Sequence, residues 1–300
     1  MAEHLAANET PSITIPPSSH TVRVSMIDNH AILDLTSSAF HTPTYPGADR
    51  YKVPSFSFLI EHSSGGKILF DLGIRKDWQN LPPEVLQEHG VASHAHVDHV
   101  GNVSTFPKKT ILVIRPGFKE AFLPGYPVGP NSTLYQGDFD GREVEEIDFS
   151  SGSDTLRIGQ FKAVDYLGDG SLYLLDTLGH CIGHLCAVAR TSTAPDMFVL
   201  LAGDAAHHSG EPRPSQYMPL PDDITPSPVF QDMHPERSRA KPFYSIAPEF
   251  NQDVQAAEQM IEGLQEFDAM ENVLMLIAHD AFDDGVIPLF SEALDDWYSQ

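Results

Sequence analysis

Ser93-His94-Ala95-His96-Val97-Asp98-His99-Val100-Gly101-Asn102 places three imidazoles and a carboxylate within the six residues from His94 to His99. Imidazole and carboxylate are good ligands for divalent zinc, manganese or iron. In an extended turn His94 and His96 project to one side, whereas Asp98 and His99 open the following helix and point towards a second ion. Four ligands on six residues cannot enclose an ion from all sides. Further donors must come from elsewhere in the chain.

The candidates lie just beyond strand-like runs. His180 and His184 stand in Thr177-Leu178-Gly179-His180-Cys181-Ile182-Gly183-His184, Asp204 closes Leu201-Ala202-Gly203-Asp204, and His279 follows Leu276-Ile277-Ala278. Asp71 closes Lys67-Ile68-Leu69-Phe70 in the same way, and suits a carboxylate that orients a ligand histidine.

Around these residues strands dominate. Val22, Val24 and Met26 alternate with polar residues, and Val53 to Glu61 leads through Ser63-Ser64-Gly65-Gly66 into Lys67 to Asp71, a hairpin pattern. Further strands are expected at 110–114, 160–166, 171–176, 185–190, 197–202 and 272–278. Pro82 and Pro83 suit the first turn of a short helix over Glu84 to Gln87. Asn251 is the expected N-cap of a helix carrying Val254, Ala257, Ile261 and Leu264, and a final helix is expected to end near Trp297. Residues 207–250 hold nine prolines, which excludes long regular elements, while Tyr217, Phe230, Phe243 and Tyr244 favour an ordered flap. The reading is α+β, two mixed sheets face to face with helices outside. It puts one domain at 21–300, with the flap as an insertion, behind a polar arm at 1–20.

Composition narrows the function. Against 18 Lys and Arg stand 42 Asp and Glu, a net charge of −24, so neither nucleic acid nor an anionic membrane is an expected partner. The longest apolar runs, 197–202 and 273–278, are six residues each, whereas a spanning helix needs about 20. Residues 1–20 lack the basic start and apolar stretch of a signal peptide, which makes the cytoplasm the expected compartment. Cys181 and Cys186 are too few for a disulfide framework.

Together, His94, His96, Asp98, His99, His180, Asp204 and His279, with Asp71 upstream, resemble the motif series of the metallo-β-lactamase-fold hydrolases over about residues 21–300. The resemblance implies an αββα sandwich with a dinuclear site at one edge. It implies His94, His96 and His180 on the first metal, Asp98, His99 and His279 on the second, and Asp204 bridging two divalent ions. Zinc is the first choice, with iron or manganese as alternatives. His184 matches a family position that is usually not a ligand, so a structural, hydrogen-bonded histidine is expected there.

Asp rather than Cys at 204, His rather than Glu at 96, and the acidic charge set aside other branches of the superfamily. What remains resembles the N-acyl homoserine lactonase-like branch, together with relatives that open small γ-lactams and cyclic carbamates. The implied reaction is attack of a metal-bridging hydroxide on the ring carbonyl of a small lactone, with the lactam or carbamate as alternative. A mononuclear-iron persulfide dioxygenase-like oxidoreductase and a catalytically silent binding protein stand behind these. Asp98 is the expected proton shuttle. The lactonases usually carry Tyr three residues after the bridging Asp; His207 holds that position and is expected to support the substrate carbonyl. The expected partner is a small cyclic ester or amide, and a homodimer is compatible with the sequence.

Overall fold

The computed structural model describes residues 7–82, 96–149, 156–221, 234–281, 283 and 285–299. His94, Phe230 and the short helix expected over 84–87 lie outside the described residues. Thirteen strands are described: β1 (Val22–Thr36), β2 (His41–Thr42), β3 (Arg50–His62), β4 (Lys67–Phe70), β5 (Leu112–Ile114), β6 (Val144–Glu146), β7 (Leu156–Ile158), β8 (Phe161–Asp165), β9 (Leu172–Asp176), β10 (Leu185–Thr193), β11 (Asp196–Leu201), β12 (Ser245–Ile246) and β13 (Val273–Leu276).

Two sheets carry the fold. One has the order β1-β3-β4 and the other β13-β11-β10-β9-β8-β7. The second is mixed, because β11 and β13 run parallel while β7 to β11 pair antiparallel. The period-2 geometry of a strand sends alternate side chains to opposite faces. Thus Leu172, Leu174, Ala187, Ala189, Val199 and Leu201 meet Val24, Met26, Phe56, Phe58 and Ile60 of the smaller sheet. Tyr173, Leu175, Cys186, Val188, Phe198 and Leu200 face the other way, onto Ala257, Met260, Ile261, Leu264 and Phe267 of the helix Val254–Asp268. Both faces of the larger sheet are therefore buried at β9, β10 and β11, which is why these strands read as apolar runs, whereas β7 and β8 alternate with the exposed Arg157 and Lys162.

Two helix expectations need correction. The N-cap of Val254–Asp268 is Asp253, whose Oδ1 accepts the Ala256 N–H at 3.0 Å. Asn251 is occupied elsewhere, as described below. After His279 the expected final helix is replaced by turns and a 3₁₀ turn at Trp297–Ser299. This segment is captured by the free edge of β1: Phe290 N–H donates to Met26 O at 2.7 Å, and Leu294 N–H to Val24 O at 2.8 Å. An unpaired strand edge offers hydrogen bonds that compete with a helix, and Gly285 and Pro288 weaken the helix further.

The N-terminal arm is docked, with Ile13 and Ile15 packed on the helix-side core and Pro16 O accepting from the buried Arg190 guanidinium. The described parts of 207–250 are irregular, as their prolines require, and lie over the helix. Arg213 holds Asp268 through two contacts of 2.6 and 2.7 Å, and β12 pairs with β2.

The same connectivity builds the site. β4, β9, β11 and β13 are followed by Asp71, His180, Asp204 and His279 respectively. The ends of β11 and β13 stay paired, because Ala278 N–H donates to Gly203 O at 3.0 Å, and Phe56 N–H to Ala278 O at 3.1 Å ties on β3.

Candidate metal centre

His96 caps a four-residue helix, Val97–Val100, that carries Asp98 and His99. Its exit is pinned to the end of β4 by Leu72 N–H to His99 O at 2.9 Å and Gly101 N–H to Gly73 O at 2.8 Å. Gly101 has φ +51°, and a Cβ there would stand 2.6 Å from Leu72 O, so only glycine allows this approach. Gly179 plays the same part for His180: its φ is +118°, and a Cβ would fall 2.1 Å from Ala257 N.

Asp204 is the centre of the arrangement. Its Oδ2 lies 2.9 Å from His96 Nδ1, 2.9 Å from His99 Nε2, 3.6 Å from His180 Nε2 and 3.6 Å from His207 Nε2. Its Oδ1 lies 3.1 Å from His279 Nε2. Asp98 Oδ2 stands 3.2 Å from His279 Nε2 and 3.6 Å from His99 Nε2. The donor atoms fall into three triads whose members lie within 4.8 Å of one another: His96, His180 and Asp204; His96, Asp98 and His99; His99, Asp204 and His279. Asp204 belongs to two of them.

Outer groups aim the rings. Asp71 Oδ1 takes His99 Nδ1 at 2.8 Å, the Pro54 carbonyl takes His279 Nδ1 at 2.9 Å, and Asn251 Oδ1 lies 3.3 Å from His180 Nδ1. Such partners fix the tautomer and leave the opposite nitrogen for a ligand. Asp71 was legible from its place after a strand. Pro54 acts through its main chain and Asn251 has the pattern of a helix cap, so neither was found from sequence.

The electrostatics suit a cation. Burial opposes protonation of His279, but Asp204 and Asp98 push it up to about 10. Burial likewise opposes protonation of His99, and Asp204, Asp71 and Asp98 outweigh it, holding this imidazole well above its ordinary value. The reverse pull keeps Asp204 ionised: burial would raise it, and His99 and His279 hold it far below the carboxylate range. His96 and His207 are instead lowered to about 4, chiefly by burial, and so present neutral imidazoles. Among the described residues every ion-pair partner of Asp204 is a histidine. Buried carboxylates surrounded by imidazoles form the donor set of zinc and related divalent ions, so the residues present fit such a group.

Six of the seven expected ligands are thus brought together, the seventh, His94, lying outside the described residues. His184 stands apart, its Nδ1 at 3.0 Å from Thr177 Oγ1. His207 is 2% exposed and neither ring nitrogen has a hydrogen-bond partner. Its ring packs between Phe40, 4.8 Å away, and His180, 4.9 Å away. Glu211, fully buried beside it, carried no recognisable signal in a proline-rich stretch.

Comparison with known proteins gives this geometry a context. The sequence profile of the metallo-beta-lactamase superfamily matches residues 50–240. Gamma-lactamase FDB1 of Fusarium pseudograminearum is 36% identical over 97% of this chain and 82% of its own length. The cytochrome P450 monooxygenase mpaDE' of Penicillium brevicompactum is 37% identical over 97% of this chain, which spans only 37% of that relative's length. Among solved structures, a quorum-quenching N-acyl homoserine lactone hydrolase superposes with a TM-score of 0.56 at 19% identity, covering 92% of this chain and 99% of its own. The likeness to that hydrolase lies in the fold. The profile match over residues 50–240 and the likeness to FDB1 along 97% of this chain lead to one conclusion, that this chain belongs to the metallo-beta-lactamase superfamily.

Proposed function

We propose that this metal-dependent hydrolase holds two divalent ions and opens the ring of a small cyclic amide or carbamate. The observation that carries the dinuclear reading is Asp204, whose Oδ2 meets His96 and His180 of one triad while its Oδ1 meets His279 of another. His94, His96 and His180 would hold one ion and Asp98, His99 and His279 the other, with Asp204 shared. Zinc suits this nitrogen and oxygen donor set, and iron or manganese are accepted by the same ligands. Similarity to gamma-lactamase FDB1 along nearly the whole chain moves the lactam ahead of the lactone. The lactone remains the second reading, favoured by 32% identity to N-acyl homoserine lactonase AttM of Rhizobium radiobacter over 39% of this chain.

When bound, the ions supply a water acidified to near neutrality and a polarised scissile carbonyl. The protein supplies the rest. Asp71 and the Pro54 carbonyl lock His99 and His279 in one orientation, so no reorganisation is needed during the reaction. Asp98, held between His99 and His279, carries the proton to the leaving group. A lactam depends on that proton more than a lactone does, because an amine leaves poorly as an anion. His207, neutral and buried next to Asp204, donates from a ring N–H to the carbonyl oxygen.

Zinc-reconstituted protein assayed on a panel of γ-lactams, cyclic carbamates, lactones and thioesters tests the reading. The expected result is a kcat/KM at least about tenfold higher on a cyclic amide or carbamate than on any lactone, a difference of about 1.4 kcal/mol. Exclusive turnover of lactones would reverse the order of the two readings. His184→Ala should keep about two ions per chain by metal analysis while lowering Tm, because it removes the bond to Thr177 and opens a small cavity. Loss of an ion in that variant would put His184 among the ligands.

A further inference from the structure

Glu211 is a carboxyl that the reaction above does not use. It is 1% exposed, and its Oε2 accepts the His207 main-chain N–H at 3.0 Å. Its Oε1 has no hydrogen-bond partner and stands 4.0 Å from His41 Nδ1, which has none either. The hydroxyl of Tyr51, on β3, is a third buried polar atom without a partner, and the Tyr51 ring lies 5.2 Å from that of His41. Tyr244, 4.2 Å from His41, closes the group from the position immediately before β12. Burial, with the charge of Asp204 adding to it, pushes the Glu211 carboxyl up to about 8. A carboxyl in such a place costs stability, and an apolar residue would fill the volume without that cost.

What Glu211 holds explains its presence. The imidazole of His207 has no hydrogen bond within 3.5 Å, its Nε2 standing 3.6 Å from Asp204 Oδ2, so its place depends on that long contact, on packing and on the position of its main chain. The contact that fixes that main chain comes from Glu211, four residues later. We propose that Glu211 is a positioning residue for His207: by accepting the main-chain N–H it sets the imidazole beside Asp204, with His41 opposite the second carboxyl oxygen. The catalytic consequence rests on the role given to His207 above; the geometric one does not.

Glu211→Gln, Glu211→Leu and Glu211→Asp test this, each checked for zinc content and Tm. In protein labelled with ¹⁵N-histidine, the His207 amide resonance is identified by its loss in His207→Gln. Glu211→Leu removes the acceptor and Glu211→Asp shortens it by one methylene. Both should shift that resonance and speed its hydrogen exchange, and both should lower kcat by about 10- to 100-fold with KM within about threefold of the parent. Glu211→Gln keeps an oxygen acceptor in place and should restore kcat to within about threefold, with the resonance near its parental position. Parental kcat and an unmoved resonance in Glu211→Leu would overturn the proposal, as would a Glu211→Gln variant as slow as Glu211→Leu. Should Glu211→Leu fail to fold, the same two measurements on Glu211→Asp decide between these outcomes. If the parent hydrolyses nothing in the panel, the substrate reading fails, and the resonance still decides the positioning.

Discussion

Asp204→Ala is expected to leave a protein that binds about one divalent ion or none and opens rings no faster than the uncatalysed reaction. Two of the three triads contain Asp204, so its removal leaves the first site with imidazoles alone and the second with Asp98, His99 and His279. The loss extends beyond a donor atom. His99 and His279 owe their affinity for positive charge to Asp204 more than to any other residue, so the field that draws cations into the site falls with it. Metal content by plasma emission spectrometry and turnover on the best panel substrate are the two measurements, with circular dichroism to show that the sandwich persists. A variant that kept two ions and full activity would remove the basis of the dinuclear assignment.

His207→Ala carries the second largest expected effect. Removing a hydrogen-bond donor aimed at a developing oxyanion commonly costs about 10²- to 10³-fold in kcat. That loss is expected here on lactones, where departure of the alkoxide needs no proton and carbonyl stabilisation is the main demand. His207→Tyr, which restores a donor of the kind the lactonases carry, should recover or raise lactone opening. The ring sits against Phe40 and His180, so the larger phenol has to be accommodated by repacking around these two neighbours. On a lactam the proton from Asp98 takes a larger share, and the penalty for losing His207 should be smaller. Variants that matched the parent on every substrate would make His207 a bystander.

Much of the site was legible because its donors lie where short apolar runs stop. A strand buried on both faces, such as Met197 to Leu201, has to surrender its polar residues to its ends, and Asp204 follows directly. The layered fold was legible for the same reason. What escaped were contacts that depend on distant partners. Asn251 has the residue type and spacing of a helix cap, yet the helix takes Asp253 and leaves Asn251 to His180. A helix is the sequence expectation after His279, and the open edge of β1, more than 250 residues earlier in the chain, diverts these residues with the help of Gly285 and Pro288. Glu211 and His41 meet across 170 positions, and nothing in either neighbourhood announces the other.

The link from Pro54 O to His279, beside the one from Phe56 to Ala278, fastens the rim of the small sheet to the rim of the large one. A cation seated there would act as a clasp across the seam between two layers. Its donors among the described residues run from His96 to His279, a sequence span that only docking of both sheets can close. Ion capture then belongs to the end of folding, and a chelator should loosen the seam before it melts either layer. By mass action, an ion at a thousand times its dissociation constant adds about 4 kcal/mol to the closed form. In this protein the reagent for the chemistry would also be the last fastener of the architecture.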